Sequence, residues 1–276
     1  MFETLKNVFR VKEMRRKLLY LIWMIFIIRI GCQIPVPGVD SDFFKQWFSS
    51  NAGDAFNFFD AFTGGSFERM SIFALNITPY ITSSIIIQLL TIAIPALEEM
   101  QRDGEEGRKK MTAITRYVTV GLALFESIAM AIGFGRQGMI PNLDFFKGVV
   151  VVACLTAGSA MLMWLGERIT EKGVGNGISI VLTINIISRV PSDLTLLYEN
   201  FIKGKTIAKG TLAGLIIAAV ILLVVVLVLI LNGAERRIPV QYSKKMVGRK
   251  LMGGQSTNIP LKVNTAGVIP VIFASS

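Results

Sequence analysis

The strongest constraint on this chain is a stretch of 23 residues, 210–232, that carries no charged side chain. A helix rises 1.5 Å per residue and needs about 20 apolar residues to cross the hydrocarbon core of a bilayer. Similar apolar blocks recur along the 276 residues, of which 52% are hydrophobic and 17% charged. Soluble domains carry about a quarter charged residues. The sequence therefore predicts an all-α, polytopic membrane protein.

The apolar blocks predict six complete membrane spans and the start of a seventh. In chain order they cover residues 18–34, 71–94, 113–134, 148–165, 177–189 and 210–232, with the seventh beginning at Ile259. The seventh lacks a closing loop, so we expect the chain to be a piece of a longer protein.

The distribution of Lys and Arg predicts the orientation of these spans. If the N-terminal arm is cytoplasmic, 18 of the 29 basic residues fall in cytoplasmic segments and seven in external ones. Basic residues are enriched in the cytoplasmic loops of membrane proteins. The formal charge of +10 is thus explained by topology, and no direct nucleic-acid site is expected.

The absence of histidine excludes several kinds of chemistry. Without it there is no Ser/His/Asp or Cys/His nucleophile, no HExxH zinc helix and no histidine proton relay. Cys32 and Cys154 lie in separate apolar runs and are expected to be buried small hydrophobic residues. We expect no enzyme, metal site or cofactor.

The second predicted span contains NITPYITSSIIIQLL, residues 76–90, and is unusual for a membrane helix. Ile77, Ile81 and Ile85 recur every four residues and share one helical face. That stripe could simply pack on another helix, and the hydroxyl residues could serve close packing. Pro79 suggests a kink, and irregular backbone inside a membrane is tolerated where it lines a cavity. A pore-lining role is therefore a second interpretation.

Two further segments have more than one interpretation. The phenylalanine-rich stretch 56–70, interrupted at Gly64 and Gly65, is too short to span. It could be an interfacial helix or a re-entrant plug, and we expect a short helix over 56–69. The basic segment 235–250 could set orientation and contact anionic lipid, or could dock a cytoplasmic partner.

Several long motifs in this order resemble the SecY family, the channel subunits of bacterial protein translocases. The resemblance runs along essentially the whole chain. The motifs are RIG with IPVPG (29–38), FTGGSFERMSIFALNITPYITSSIIIQLL (62–90), EEGRKKM (105–111), TRY (115–117), WLGERITEKGVGNGISI (164–180), ERRIPVQY (235–242) and STNIPLKVNTAGVIPVIFASS (256–276).

The resemblance implies the N-terminal half of an inverted-repeat channel and the first spans of its second half. The expected parts are a cytoplasmic arm (1–17), a first five-span half (18–190), and the start of the second half (210–276). The first half includes the plug segment 56–70. The start of the second half comprises the sixth span, a basic loop (233–258) and the incomplete seventh span.

The resemblance also assigns roles to individual residues. The second span becomes a half-helix, and aliphatic residues form a pore ring. The implied pore ring is Ile77, Ile81, Ile178, Leu182 and Ile272, with Leu182 where many family members have isoleucine. The implied plug residues are Phe58, Phe59, Phe62, Gly64 and Gly65. The implied lateral-gate residues are Thr82, Gln88, Glu126 and Asn264. The implied docking residues are Arg236, Arg237, Lys244, Lys245, Arg249 and Lys250.

The implied function is a channel that moves unfolded polypeptides across the cytoplasmic membrane and releases signal-anchor segments into it. The implied partners are SecE-type and SecG-type subunits, the SecA motor ATPase, a translating ribosome, signal-bearing preproteins and membrane lipids. A small-solute secondary transporter is the alternative, since that fold also uses broken helices. A transporter should place polar coordinating groups at the break, where this chain has an isoleucine stripe.

Overall fold

The structure is a computed structural model, and the chain divides into two compact units, 1–193 and 194–276. It describes residues 11–41, 43–44, 46–47, 60, 62–138, 140, 144–203, 207–240, 245–247, 250–252, 257–265 and 267.

The first unit is built from helices. They are α1 (Lys12–Gly31), α2 (Thr78–Ala93), α3 (Pro95–Arg102), α4 (Gly104–Arg136), α5 (Phe145–Lys172) and α6 (Gly177–Phe201), the last of which continues into the second unit. The helix α4 packs against α2, α3 and α5, and α1 packs against α5. The predicted all-α membrane fold is confirmed.

Four helices in the described part of the chain are long and apolar enough to cross a membrane. They are α4, α5, α6 and, from Lys209, the helix α7 (Ile207–Gly233) of the second unit. The pair α2 and α3, bent by 104° at their junction, would add a fifth. The helix α1 is not among them, because basic residues lie near both of its ends. The predicted first span therefore stays a prediction.

Two predicted boundaries are wrong. The fifth span was expected to end at Arg189, but α6 continues through Pro191 to Phe201. The second was expected to be helical from Ser71, yet α2 begins at Thr78. Pro79 lies in the first turn of α2, where a backbone N–H has no helical partner, so it starts the helix and does not kink it.

The expected helix over 56–69 is also corrected. Residues 51–59 and 61 lie outside the described residues, while Asp60, Phe62 and Thr63 are helical and residues 64–70 form turns. Gly64 and Gly65 have φ of 67° and 81°, in the left-handed region that favours glycine. The helix therefore stops at these two residues.

Two apolar clusters form the core of the first unit. One surrounds the rings of Phe44, Phe67 and Phe134, which meet edge to face at centroid distances of 5.0 to 6.0 Å. The other contains Ile28 of α1 and Ile77 before α2, together with residues of α5 and α6. Cys32 is buried in the second cluster, as expected, whereas Cys154 packs beside the first cluster and is only half-buried.

The second unit contains α7 and two antiparallel strand pairs. The strand β1 (Glu235–Val240) pairs with β4 (Thr257–Lys262), and β2 (Lys245–Val247) pairs with β3 (Lys250–Met252). The predicted sixth span agrees closely with α7. The predicted basic loop 233–258 instead contains strands, and β4 occupies the expected start of the seventh span at Ile259.

Candidate functional site

The chain between the plug segment and α2 is irregular and buried. The residues from Phe73 to Ile77 are all buried, although they form turns and not a helix. Asn76 has φ of 54°, which asparagine tolerates better than most residues. Non-helical backbone inside a membrane protein needs hydrogen-bond partners from the protein itself. Here the buried side-chain amide of Asn76 and the neighbouring helices provide such partners.

Small residues of α5 pack directly against this irregular segment. A Cβ atom on Gly158 would clash with the carbonyl oxygen of Ile72, so the two backbones lie in direct contact. Next to it, Ser159 donates a hydrogen bond of 3.3 Å to the carbonyl of Asn76. Two turns further, a Cβ atom on Gly166 would lie 3.5 Å from Cδ1 of Ile77. Glycine and serine on α5 thus create the groove in which the segment lies.

Four predicted pore-ring residues meet in one aliphatic cluster. Ile77 is wholly buried, and the half-buried Ile81, Ile178 and Leu182 pack around the same group. A Cβ atom on Gly166 would also lie 3.2 Å from Cγ1 of Ile178, so Ile77 and Ile178 approach the same point on α5. The fifth predicted ring residue, Ile272, lies outside the described residues.

A buried polar network lies beside this aliphatic cluster. Asn185 of α6 donates from its side-chain amide to the amide oxygen of Asn76 at 2.9 Å. Asn76 in turn donates to the carbonyl of Phe62 at 2.8 Å. Arg29 of α1 donates to the side-chain oxygen of Asn185 and, at 2.8 Å, to the hydroxyl of Ser188. Three separate parts of the chain are therefore joined to the plug segment through hydrogen bonds.

An ion pair holds the same segment from α6. The carboxylate of Asp60 is wholly buried and pairs with the guanidinium of Arg189. Its other oxygen accepts from the hydroxyl of Thr63 at 3.1 Å and from the backbone N–H of Glu68 at 3.0 Å. A Cβ atom on Gly64 would lie 2.7 Å from the carbonyl oxygen of Asn185, so the segment rests directly on α6.

The predicted plug residues are therefore located only in part. Phe62, Gly64 and Gly65 lie on the segment held by this network, whereas Phe58 and Phe59 lie outside the described residues. Six residues of the network were not predicted from the sequence, namely Arg29, Asp60, Asn76, Asn185, Ser188 and Arg189. The available signal was the isolated charge of Arg29 inside an apolar run, because charged residues within spans usually mark functional sites.

The grouping of the predicted lateral-gate residues stays a prediction. Thr82 is half-buried and Gln88 exposed on α2, while Glu126 is half-buried on α4. Asn264 belongs to the second unit, where it donates to the side-chain oxygen of Asn232 at 3.5 Å.

The described contact between α2 and α4 is made by other polar residues. Ser83 and Thr119 are both buried, and their hydroxyls lie 2.6 Å apart. Ser83 also donates to the carbonyl of Thr115 at 3.1 Å. The two helices are therefore tied together by hydroxyl hydrogen bonds that sequence alone did not identify.

Four of the six predicted docking residues lie on strands of the second unit. Arg236 and Arg237 are exposed on β1, opposite Leu261 and Pro260 of β4. Lys245 lies on β2 and Lys250 on β3. The other two, Lys244 and Arg249, lie outside the described residues.

Solved structures share this fold. One described as the structure of a protein conducting channel aligns with a TM-score of 0.61 at 20% identity, covering 95% of this chain and 56% of its own. A second structure is described by the finding that the plug domain of the SecY protein stabilises the closed state of the translocation channel and maintains a membrane seal. It aligns with a TM-score of 0.57 at 19% identity, covering 95% of this chain and 55% of its own. Sec61 from a canine ribosome–channel complex aligns with a TM-score of 0.52 at 19% identity, covering 69% of this chain and 42% of its own. The fold is therefore that of the protein-conducting channels.

Sequence relatives identify the family. The SecY family profile matches residues 71–276. The protein translocase subunit SecY of Halalkalibacterium halodurans is 45% identical, covering 100% of this chain and 65% of that relative. The SecY subunit of Streptomyces galbus is 43% identical, covering 100% of this chain and 65% of that relative. The SecY subunit of Pseudomonas aeruginosa is 44% identical, covering 96% of this chain and 60% of that relative. The chain belongs to the SecY family, and it spans 60 to 65% of the length of these relatives.

Proposed function

We propose that this chain forms part of the central subunit of a protein-conducting channel. That channel moves unfolded polypeptides across the cytoplasmic membrane and releases signal-anchor segments into it. The observation that carries the proposal is the aliphatic cluster of Ile77, Ile81, Ile178 and Leu182, placed where a membrane helix is interrupted. A narrow ring of aliphatic groups expels water and blocks ions, yet lets a chain slide past without binding it.

The proposed role needs no catalytic residue, because passage through a pore makes and breaks no covalent bond. The alternative, a small-solute transporter, would use polar groups at the break to coordinate its substrate. The amides of Asn76 and Asn185 at this break are instead bonded to each other, to Arg29 and to the carbonyl of Phe62. Family membership supports the channel and gives no support to the transporter.

The proposed partners follow from the same relationship. They are SecE-type and SecG-type subunits within the membrane, the SecA motor ATPase or a translating ribosome at the cytoplasmic face, signal-bearing preproteins and lipids. A structural neighbour, Sec61, was solved in a ribosome–channel complex, which supports the ribosome as a partner. The basic segment that contains Arg236 and Arg237 would lie at that face, with the N-terminus on the same side.

Reconstitution tests the function directly. The complete gene product and its partner subunits would be placed in proteoliposomes with SecA, ATP and a radiolabelled preprotein. We expect protease-protected preprotein inside the vesicles, and the same preprotein without its signal sequence as the control should stay outside. ATP-dependent uptake of a small solute without uptake of preprotein would overturn the proposal.

Labelling tests the orientation. A single cysteine at Asp54, in a background without Cys32 and Cys154, should react with a membrane-impermeant maleimide from outside intact cells. Reaction only after the cytoplasmic side is opened would contradict the proposed orientation.

A further inference from the structure

We propose that Asp60 and Arg189, together with the amide pair Asn76 and Asn185, form a latch that holds the plug segment in the resting channel. The inference rests on the proposed channel function. It assigns the resting seal to specific polar contacts of this chain, in addition to the aliphatic cluster beside them.

The first part of the latch is electrostatic. The carboxylate of Asp60 has no exposed surface, and an ionised group in that position needs an opposite charge. Arg189 supplies that charge from α6. Arg189 also contacts Asp193 at 3.4 Å, but that carboxylate is half exposed and lies one turn along the same helix. Of the two contacts of Arg189, only the one with Asp60 joins α6 to the plug segment.

The second part is a chain of amide hydrogen bonds. Each of the two asparagine amides is used at both ends: Asn185 accepts from Arg29 and donates to Asn76, and Asn76 donates to the carbonyl of Phe62. The backbone carbonyl of Phe62 is thus held by a relay that begins on α1 and passes through α6. Displacement of the segment would leave buried polar groups without partners, which is unfavourable.

The geometry makes the two parts respond to one movement. Asn185 and Arg189 are four residues apart and therefore lie on one face of α6. Gly64 packs on that same face, close to the carbonyl of Asn185 and the hydroxyl of Ser188. A shift of α6 away from the segment before α2 would break the ion pair and the amide contact together. Such a shift is what an entering polypeptide would impose on the aliphatic cluster, which also contains Ile178 and Leu182 of α6.

The test compares variants of the complete gene product with its partner subunits in planar bilayers. We expect Asp60→Asn and Arg189→Gln each to raise the resting ion conductance about tenfold or more, the change in an equilibrium constant that loss of one charge-assisted hydrogen bond produces. The double variant should leak no more than the worse single variant, because both changes remove the same contact. Asp193→Asn, which removes the other carboxylate near Arg189, is the matched control and should stay ion-tight.

A second measurement reports the position of the segment independently of conductance. Ser66 is buried and its hydroxyl has no hydrogen-bond partner within the described part of the chain, so Ser66→Cys should be well tolerated. With Cys32 and Cys154 replaced by alanine, an external maleimide should label this cysteine slowly in the parent and faster in the Asp60→Asn and Arg189→Gln variants. Variants that fold too poorly for bilayer recording can still be compared by this labelling in membranes.

The outcomes separate the latch from the channel function. Unchanged conductance and unchanged labelling in both latch variants, with preprotein transport intact, would overturn the latch alone. An equal leak in Asp193→Asn would also overturn it, because the effect would then be a general response to lost charge. Failure of the parent protein to transport preprotein in the reconstituted assay would instead overturn the proposed function.

Discussion

Asn185 donates a side-chain hydrogen bond of 2.9 Å to Asn76, a residue 109 positions earlier in the sequence. The contact joins the middle of α6 to the irregular segment that precedes α2. Both residues are 1% exposed, so water cannot replace the bond if it is lost. This pair fixes the position of the irregular segment. Ile77, the residue that follows Asn76, packs in the aliphatic cluster.

Removal of the Asn185 amide should therefore destabilise the folded protein. The variant Asn185→Leu keeps a similar volume but leaves the oxygen of Asn76 and part of the Arg29 guanidinium without partners. We expect a loss of about 1–3 kcal/mol in the free energy of unfolding, typical of a buried polar group left unsatisfied. The midpoint of thermal unfolding in detergent would measure it. Thr183→Val, at an exposed position of the same helix, is the control, and an equal shift there would contradict the prediction.

The hydroxyl pair between α2 and α4 should show measurable coupling. Ser83 and Thr119 lie 2.6 Å apart and are buried, so Ser83→Ala and Thr119→Val should not be additive. We expect a coupling of about 0.5–1.5 kcal/mol, the range found for polar contacts between membrane helices. A double-mutant cycle of unfolding free energies measures it. The same cycle with Ser84→Ala in place of Ser83→Ala should give no coupling. Additive effects for Ser83 and Thr119 would mean that the contact contributes no net stability.

The close approach at Gly166 predicts a difference between two glycines. A Cβ atom there would lie 3.2 Å from Ile178 and 3.5 Å from Ile77, whereas one on Gly121 of α4 would meet nothing within 4 Å. Gly166→Val should therefore overpack the aliphatic cluster and cost about 1–3 kcal/mol of stability. Gly121→Val should change stability far less. Thermal unfolding of the two valine variants would check this, and equal midpoints would show that α5 and α6 can separate without cost.

The sequence predicted the parts of this fold that depend on composition and periodicity. The run 210–232 has no alternative to a membrane span, and α7 covers it. The family resemblance grouped the aliphatic residues Ile77, Ile81, Ile178 and Leu182, and these four lie in one cluster. Their role as a pore ring stays a prediction. Periodicity alone favoured packing over pore lining for the isoleucine stripe, and the complete burial of Ile77 shows that packing contributes.

The polar contacts could not be predicted, because they join residues far apart in the chain. No local pattern pairs Asp60 with Arg189 or Arg29 with Asn185. Two helix boundaries were predicted wrongly near prolines, because a proline is compatible with more than one backbone structure. The fifth span was expected to end at Arg189, but α6 continues through Pro191, and Pro79 suggested a kink but begins α2. The strands β1 and β4 were missed because their pairing spans a basic segment that resembles a loop.

The basic segment of the second unit should contribute to docking at the cytoplasmic face. We expect reversal of Lys244, Lys245, Arg249 and Lys250 to glutamate to weaken binding of both SecA and the ribosome. The effect should be larger at low salt, where exposed charges are least screened. Affinities measured on proteoliposomes over a series of salt concentrations would test it. Reversal of Lys205 and Lys209, on the predicted external side, is the control. Unchanged affinity for both partners would leave only the orientation and lipid roles.

The aliphatic cluster gives the prediction closest to the proposed function. Replacement of Ile77 and Ile81 by serine should let water persist where aliphatic groups expel it, so the resting channel should conduct small ions. It should still transport polypeptide, because passage needs a soft opening and no chemical step. Single-channel recording in planar bilayers measures the leak, and the preprotein assay measures transport.

Packing and pore lining predict different outcomes for this double variant. Ile77 is wholly buried, so its truncation should cost about 2–5 kcal/mol of stability under either interpretation. Folded yield must therefore be measured alongside conductance. The matched control is Leu89→Ser with Ile92→Ser, two exposed positions of the same helix. A leak confined to the Ile77 and Ile81 variant supports the ring. A folded, ion-tight double-serine channel would restrict these isoleucines to a packing role.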